Sequence, residues 1–282
     1  MADTKSLAQI KTVAIIGLGL MGGSLAAALR KKMPRVRIVG ITRRRTALKM
    51  ALRKGWIHEG VSDVARGVRN ADLIVLCSPV QTFPGLFRIL NRHARPGALV
   101  TDVGSVKADI LRRLPKGRLN YVSAHPMAGS HAHGIEAVNP ALYDQGFVFI
   151  IRDTKASPKA YKQVKAFWTK IMPRMVEISA RDHDRWTAEI SHMPHALAVC
   201  LMLAAPDKGL PYAARGFRDM TRLAAGSPDI WLPIFQANRR FMAQALSRMV
   251  RQLQLVQRKL KSHSNKGLRR MLETAAQKRN RL

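Results

Sequence analysis

The length, composition and charge of the chain limit the class of protein. At 282 residues, 47% of them hydrophobic, the chain is long enough for two domains with packed cores, which excludes a disordered protein. Lysine and arginine number 49 against 17 aspartate and glutamate residues, a formal net charge of +32. The longest nearly apolar run, residues 196–205, is far shorter than the roughly 20 residues of a membrane helix, and residues 1–10 have no apolar signal core. Neither membrane insertion nor secretion is predicted.

The distribution of cysteine and basic residues narrows the class further. Cys77 and Cys200 lie in apolar stretches, which indicates neither a disulfide scaffold nor a thiolate metal site, and we expect a reducing cytoplasm. Basic residues occur in nearly every segment and are densest over 43–54 and 258–282. This scatter favours a compositional bias over a dedicated nucleic-acid-binding function, so any nucleic-acid binding is expected to be non-specific.

A glycine-rich turn follows the first predicted strand. Residues 12–16 are an apolar, β-branched run, and the sequence Gly-Leu-Gly-Leu-Met-Gly precedes an Ala/Leu-rich segment that reaches residue 32. This order predicts strand, turn and helix, the arrangement that binds the pyrophosphate of a dinucleotide at a helix N-terminus. Glycine permits the tight turn, the close approach of the backbone to the pyrophosphate, and close helix packing. The expected cofactor contacts are Gly17, Gly19, Leu20, Met21 and Gly22.

Strands and helices alternate through the first part of the chain, which is typical of a parallel sheet. Further strands are predicted over 35–42, 72–77, 99–102, 121–124, 147–151 and 175–178, with helices over 47–53 and 158–171. The predicted fold is therefore an α/β Rossmann-type dinucleotide-binding domain over residues 1–178, followed by an all-helical domain over 179–282.

The second domain is predicted from three long amphipathic segments, 182–205, 212–225 and 233–260. In the last segment an apolar stripe repeats at three- and four-residue spacing: Phe241, Ala245, Met249, Leu253, Val256 and Leu260. A helix this long often buries part of its stripe in a partner subunit, so we expect a homodimer formed through the helical domain. The basic tail, 261–282, has no assigned role.

The residues that end the second and third predicted strands bear on the choice of cofactor. NAD sites usually carry an acidic residue after the second strand, where this chain has Thr42 and Arg43. A hydroxyl and a guanidinium suit a ribose 2′-phosphate, so NADP is predicted over NAD. Ser78 and Pro79, which follow the strand at 72–77, are expected at the same cofactor site.

Two motifs after later strands indicate acid–base chemistry. Asp-Val-Gly-Ser-Val-Lys occupies 102–107, and His-Pro-Met-Ala-Gly-Ser occupies 125–130. Because parallel strands place their carboxyl ends at one edge of a sheet, Ser105 and His125 are expected to meet over the nicotinamide. A histidine of near-neutral pKa takes the proton of a carbinol as hydride leaves its carbon, and Ser105 is expected to orient the ring.

The helical domain contributes further polar residues. His192 and His195 lie one helical turn apart on one face, but their spacing and the absence of nearby acidic or cysteine ligands argue against zinc, and no metal is predicted. A substrate-facing or interdomain role competes with that of buried structural histidines. Arg222 ends the sequence Gly-Phe-Arg-Asp-Met-Thr-Arg, and its planar guanidinium group can form two hydrogen bonds to a carboxylate.

Together, in this order, the motifs resemble the prephenate and arogenate dehydrogenase family of tyrosine biosynthesis over about residues 12–260. The resemblance implies oxidative decarboxylation: hydride and carbon dioxide leave, and the ring becomes aromatic. It implies that His125 accepts a hydrogen bond from the 4-hydroxyl, with Ser105 bonded both to His125 and to the cofactor region as a further cofactor-binding residue. It also implies that Arg222 holds the ring carboxylate. The implied lining of the pocket is His192, His195 and Ser130.

The choice of substrate and two other classes of protein stay open. Arogenate carries an ammonium group where prephenate has a keto group, so a nearby carboxylate would favour arogenate. Asp184 is the first candidate to bind this ammonium group, and Glu189 and Asp219 are weaker candidates. A β-hydroxyacid dehydrogenase shares the glycine turn and a helical second part, and a basic nucleic-acid-binding protein on a Rossmann scaffold would hold DNA or RNA at physiological salt.

Overall fold

The structure is a computed structural model that describes residues 7–115, 117–128 and 134–281. A parallel sheet of six strands, in the spatial order β3-β2-β1-β4-β5-β6, forms its first half. The strands are β1 (Thr12–Ile16), β2 (Arg37–Ile41), β3 (Glu59–Val61), β4 (Leu73–Leu76), β5 (Leu99–Asp102) and β6 (Asn120–Tyr121). The predicted Rossmann-type fold is confirmed.

Helices cover both faces of this sheet, which explains why its central strands, β1 and β4, are almost continuously apolar. They are α1 (Leu20–Lys32), α2 (Arg45–Arg53), α3 (Val64–Val68), α4 (Phe83–His93), α5 (Ala108–Arg113) and α6 (Pro158–Ile171). α1 and α6 pack on one face, where Phe167 and Trp168 are fully buried, and α4 packs on the other through Phe83 and Phe87. All four residues of β4 are buried.

A second, three-stranded sheet follows, and it corrects the predicted strand over 121–124. That segment is split, because β6 ends the parallel sheet and β7 (Ala124–Met127) pairs antiparallel with β8 (Phe147–Ile151). β8 pairs in parallel with β9 (Met175–Ile178). His125 therefore lies within a strand of the second sheet, not after a strand of the first. β3 was not predicted, because three residues at a sheet edge leave little pattern.

The rest of the chain is helical. Its helices are α7 (Ala180–Thr187), α8 (Met193–Ala204), α9 (Arg215–Thr221), α10 (Pro228–Ala237), α11 (Arg239–Lys261) and α12 (Asn265–Arg279). A π-helical turn, Ala188–His192, joins α7 to α8, with Pro194 in the first turn of α8, where the missing N–H costs nothing. The segment predicted over 233–260 is broken at Asn238, and the basic tail, left unassigned from the sequence, forms α12.

The apolar stripe of α11 is only partly covered. Met242 and Ala245 are buried against the π-helical turn and α8, whereas Leu253 and Leu260 are each 58% exposed. The second half of the stripe therefore has no cover within the described part of one chain. No helix among the described residues is both long and apolar enough to cross a membrane.

Candidate active site

The glycine turn between β1 and α1 has the shape that a dinucleotide requires. Gly17 has a φ of 103°, and a Cβ there would lie 2.7 Å from the carbonyl oxygen of Cys77. A Cβ at Gly22 would collide with the carbonyl oxygen of Gly17, so only glycine fits at either position. At Gly19, by contrast, no heavy atom lies within 4 Å of the Cβ position. Space therefore remains for a pyrophosphate to approach the backbone.

The first amides of α1 face that space without a competing side chain. Gly19 is the N-cap residue, and no side chain of the described residues caps the helix. The first amide bonded within the helix is that of Gly23, which donates to the carbonyl of Gly19. The amides of Leu20, Met21 and Gly22 are left for a phosphate, as a helix N-terminus that binds an anion requires.

The segments after β2 and β4 border the same edge of the sheet. The Thr42 hydroxyl, directly after β2, accepts a hydrogen bond of 3.3 Å from the amide of Arg44, and the Arg43 side chain is exposed. Ser78 follows β4, and its hydroxyl lies 2.8 Å from that of Thr82. Pro79 is the N-cap residue of a short 3-10 turn, Val80–Thr82. These four residues lie at the carboxyl ends of β2 and β4, and no acidic side chain directly follows β2.

A buried ion pair organises the end of β5. Asp102 and Lys107 are each about 1% exposed, and the ammonium of Lys107 lies 2.6 Å from a carboxylate oxygen of Asp102. The same ammonium donates to the carbonyl of Ala124, next to His125. The second carboxylate oxygen accepts the hydroxyls of Tyr121 at 2.6 Å and Ser123 at 2.7 Å. Every described partner of this buried carboxylate is a hydrogen-bond donor, which offsets its loss of solvation.

His125 is held by a histidine that the sequence analysis missed. Its Nδ1 lies 2.9 Å from Nε2 of His183, and Nδ1 of His183 lies 2.8 Å from a carboxylate oxygen of Asp184. Asp184 is anchored in turn by the backbone amide of Lys107, at 2.8 Å. Ser105, which was expected to orient His125, is half-buried in the turn after β5 and forms no hydrogen bond with it among the described residues.

This chain of contacts determines where the proton of each ring resides. Because the Asp184 carboxylate can only accept, His183 donates from Nδ1 and keeps a lone pair on Nε2. His125 then donates from Nδ1, which leaves the lone pair of a neutral His125 on Nε2. Burial, followed by the His183 ring and the Lys107 ammonium, lowers the pKa of His125 well below its usual 6.5. His125 is thus a neutral hydrogen-bond acceptor at neutral pH.

His192 offers the complementary group, a donor. The Asn238 amide nitrogen donates to the carbonyl of Asp184 at 2.8 Å and to Nδ1 of His192 at 3.1 Å. Burial lowers the pKa of His192 to about 4, so the ring is neutral and carries its proton on Nε2. That buried nitrogen has no partner among the described residues. An N–H so placed suits a substrate oxygen, because a buried unpaired donor is otherwise costly.

His195 forms an apolar wall instead of a hydrogen bond. Its ring stacks on Trp231 with 3.6 Å between centroids, and its buried Nδ1 has no partner among the described residues. The backbone of Gly226 approaches both rings so closely that a Cβ there would overlap them. Arg222 lies in the short 3-10 turn that packs on α8, with its side chain exposed and in no ion pair among the described residues.

Comparison with known families identifies both halves of the chain. Residues 25–177 match the family described as "Prephenate dehydrogenase, nucleotide-binding domain", and residues 179–274 match "Prephenate dehydrogenase, dimerization domain". The chain belongs to the prephenate dehydrogenase family. The resemblance drawn from the motifs is confirmed, and the matches favour this family over the β-hydroxyacid dehydrogenase and nucleic-acid-binding alternatives.

Individual relatives cover nearly the whole chain. The prephenate dehydrogenase of Bacillus subtilis is 31% identical over 274 residues, which cover 94% of this chain and 74% of the relative. The cyclohexadienyl dehydrogenase of Zymomonas mobilis is 30% identical, with 81% of each chain covered. Prephenate dehydrogenase from A. aeolicus, crystallised with hydroxyphenyl propionate and NAD+, matches with a TM-score of 0.87 and 29% identity, covering 96% of this chain and 98% of that chain. These likenesses support a prephenate or arogenate dehydrogenase activity with a nicotinamide cofactor.

Within this family site, the expectation for Asp184 is wrong. Its two carboxylate oxygens accept the amides of Lys107 and Ala108, both at 2.8 Å, and one of them also accepts His183. Asp184 is 1% exposed and joins the two domains, so it is not free to bind an ammonium group. The weaker candidates form ion pairs elsewhere, Glu189 with Arg248 and Asp219 with Arg215.

The tertiary structure joins some of the predicted residues and leaves others apart. His125 and His192 are linked through His183, Asp184 and Asn238, whereas no hydrogen bond among the described residues connects Ser105 or Arg222 to them. Ser130 lies outside the described residues. The missed residues are His183, Asn238, Trp231 and Gly226. A signal for His183 was present in the sequence Asp-His-Asp at the start of the second domain. His183, Asp184 and Thr187 are polar residues on the buried face of the helix, and such a group on an otherwise buried face indicates a hydrogen-bond network.

Proposed function

We propose that this chain oxidatively decarboxylates prephenate or arogenate, with hydride transfer to NADP. The observation that carries the proposal is the hydrogen-bond chain from Asp184 through His183, which supports the lone pair on Nε2 of a buried, neutral His125. The test is an absorbance assay of nicotinamide reduction with each substrate. Turnover of at least one is expected, and turnover of neither would contradict the proposal.

The protein residues position a carbinol that is ready to become aromatic. A bound nicotinamide would supply the acceptor for hydride. His125 accepts a hydrogen bond from the ring hydroxyl, so electron density increases on that oxygen as hydride leaves the same carbon. The electrons of the bond to the departing carboxylate complete the aromatic ring, carbon dioxide leaves, and the hydroxyl remains on the phenolic product. Because aromatisation drives the reaction, orientation is the main task of the site.

Arg222 is proposed to bind the ring carboxylate, and its exposed, unpaired guanidinium within the described residues supports this role. Replacement of Arg222 by alanine is expected to raise KM for the substrate about 10- to 100-fold, because a hydrogen bond to a charged group contributes about 1.5–3 kcal/mol. KM for the dinucleotide should not change. Steady-state kinetics with both ligands varied provide the measurement.

The matched control for that variant is Arg215→Ala, an arginine of the same segment that is 94% exposed and paired with Asp219. Its KM for the substrate is expected to equal that of the wild type. Equal effects of the two substitutions would show that general positive charge, and not Arg222, binds the carboxylate.

The preference for NADP is proposed to reside in Thr42 and Arg43. No carboxylate follows β2 to repel a 2′-phosphate, and the exposed Arg43 guanidinium is free to pair with one. Arg43→Ala is expected to raise KM for NADP about 10- to 100-fold and to leave KM for NAD within about twofold. Arg53→Ala, at the end of α2, is the control. A wild-type KM lower for NAD than for NADP would remove this part of the proposal.

A homodimer through the helical domain, residues 179–282, is proposed from the uncovered stripe of α11. Leu253 and Leu260 are more than half exposed, and large apolar side chains in a row are usually covered in an assembled protein. The match of this half to a dimerization domain supports the same conclusion. Light scattering coupled to size exclusion should report twice the mass of one chain, and Leu253→Lys should shift it toward one.

A further inference from the structure

The backbone that leads into His125 is held by side chains from the other sheet. Ala124, the first residue of β7, donates its amide N–H to a carboxylate oxygen of Asp102 at 3.2 Å, and its carbonyl accepts the ammonium of Lys107. On its other edge β7 pairs with β8. The Asp102–Lys107 ion pair therefore satisfies both backbone groups of Ala124, as a neighbouring strand would do.

The same carboxylate fixes the turn that follows β5. The oxygen that binds the Lys107 ammonium also accepts the amide of Gly104, at 2.7 Å. A Cβ at Gly104 would lie 2.9 Å from that oxygen, so the turn is packed tightly against the carboxylate. Ser105 is the next residue, at the edge of the sheet where the dinucleotide is expected. Asp102 thus binds both the turn at this edge and the strand that carries His125.

Five hydrogen-bond donors converge on the two oxygens of this buried carboxylate. They are the amides of Gly104 and Ala124, the hydroxyls of Tyr121 and Ser123, and the ammonium of Lys107. An asparagine of the same shape would replace one of the acceptors with an NH2 donor. A hydroxyl can rotate to accept that donor, but a backbone amide cannot. Because the two amides bind different oxygens, either orientation of the asparagine leaves one of them without a partner.

We propose that Asp102 is a positioning residue for the reaction, which holds His125 at a fixed place relative to the dinucleotide-binding edge of the sheet. It is fully buried and acts through the two segments that it binds. This role rests on the proposed function, in which orientation is the main task of the site. A misplacement of about 1 Å, caused by a substitution away from the chemistry, can cost about 100-fold in rate.

The first test is the kinetics of Asp102→Asn, with Asp72→Asn as the matched control. Asp72 precedes β4, accepts the amides of Lys11 at 2.8 Å and Thr12 at 2.7 Å, and pairs with Arg95. It therefore also joins separate segments through a carboxylate, but at the amino edge of the same sheet.

Asp102→Asn is expected to lower kcat about 10- to 100-fold, because His125 is no longer held in place. KM for the dinucleotide should change by less than about threefold, since the glycine turn after β1 is untouched. Asp72→Asn should keep kcat within about twofold of the wild type. A wild-type kcat in Asp102→Asn, or an equal loss in both variants, would overturn the proposal.

The second test does not depend on turnover. The Nδ1 proton of His125, in the 2.9 Å contact with Nε2 of His183, should give a slowly exchanging, downfield signal in ¹H–¹⁵N spectra of the full chain. Its absence in His125→Asn assigns the signal. In Asp102→Asn the signal should move upfield or broaden, because β7 is less firmly held, whereas Asp72→Asn should leave it in place. An unchanged signal in Asp102→Asn would overturn the positioning role even where kcat is lower.

The failure of this role and the failure of the proposed function have different signs. No turnover of either substrate by the wild type would count against the function and leave the spectroscopic test standing. Circular dichroism confirms that each variant is folded before it is compared. If Asp102→Asn does not fold, Ser123→Ala decides, because it removes one donor to the carboxylate beside Ala124. It should lower kcat about threefold and shift the same signal, and a wild-type result in either measurement would overturn the proposal.

Discussion

Replacement of His125 by asparagine is expected to lower kcat by about 10²- to 10⁴-fold, the usual contribution of a positioned general base. The amide oxygen can accept a hydrogen bond, but it is much less basic than a neutral imidazole and stabilises less of the positive charge that develops on the hydroxyl as hydride leaves. His93→Asn, at the end of α4, is the control and should retain full activity. An asparagine variant with more than a tenth of the wild-type kcat would remove His125 from the chemistry.

The pH dependence of the same reaction follows from the burial of His125. Burial, the His183 ring, Lys107 and His192 all lower the pKa of His125 below 6.5. Only the neutral ring has a lone pair, so kcat should be constant around pH 7 and decrease as the pH falls through that depressed pKa. A kcat that titrates with a midpoint at or above pH 7 would contradict the assignment of His125 as the acceptor.

Replacement of Lys107 by methionine is expected to lower the free energy of unfolding by about 3–5 kcal/mol, the usual cost of removing one partner of a buried ion pair. The substitution removes the cation beside Asp102, which is 1% exposed and keeps only hydroxyl and amide donors. The ammonium also donates to the carbonyl of Ala124, so that acceptor would lose its partner too. Urea unfolding followed by circular dichroism measures the change.

The matched control is Lys165→Met, which removes a lysine from a pair with Glu177 whose side chains are about one-third exposed. Exposed pairs contribute about 0–1 kcal/mol, so this variant should lose far less stability than the variant at position 107. Equal losses would show that the Asp102–Lys107 pair is no more important than a surface contact. Conversely, loss of activity without loss of stability would give Lys107 a direct role in the site.

Local patterns in the sequence were enough to predict several strands and one long helix of the first domain. β1, β5, β8, β9 and α6 have the predicted bounds. β1, β5 and β8 are buried along almost their whole length and are therefore runs of mostly apolar or β-branched residues, and α6 is amphipathic, so each shows a local sequence pattern. The glycine turn was equally readable, since its steric requirements involve residues within about six positions, Cys77 excepted. Family membership followed from motifs of this local kind.

The hydrogen bonds that orient His125 could not be predicted from local sequence patterns, because the residues that form them are far apart along the chain. His125 and His183 are 58 residues apart, and Lys107 and Asp184 are 77 apart, so no periodicity connects them. The sequence pointed to Ser105 as the orienting group and to Asp184 as a ligand for ammonium, because both are polar residues near the right motifs.

The sequence by itself was enough to predict a two-domain organisation, a glycine turn suited to a dinucleotide, and His125 as the candidate hydrogen-bond acceptor. The tertiary structure decided which atom of that histidine is the acceptor. That decision depends on the hydrogen bond between His125 and His183, and on the Asp184 carboxylate of the helical domain, which accepts His183 and the backbone amides at the start of α5. The tautomer of His125 depends on the hydrogen bond that its other ring nitrogen makes, and the residues that make this bond come from the second domain, so they reach His125 only when the chain folds.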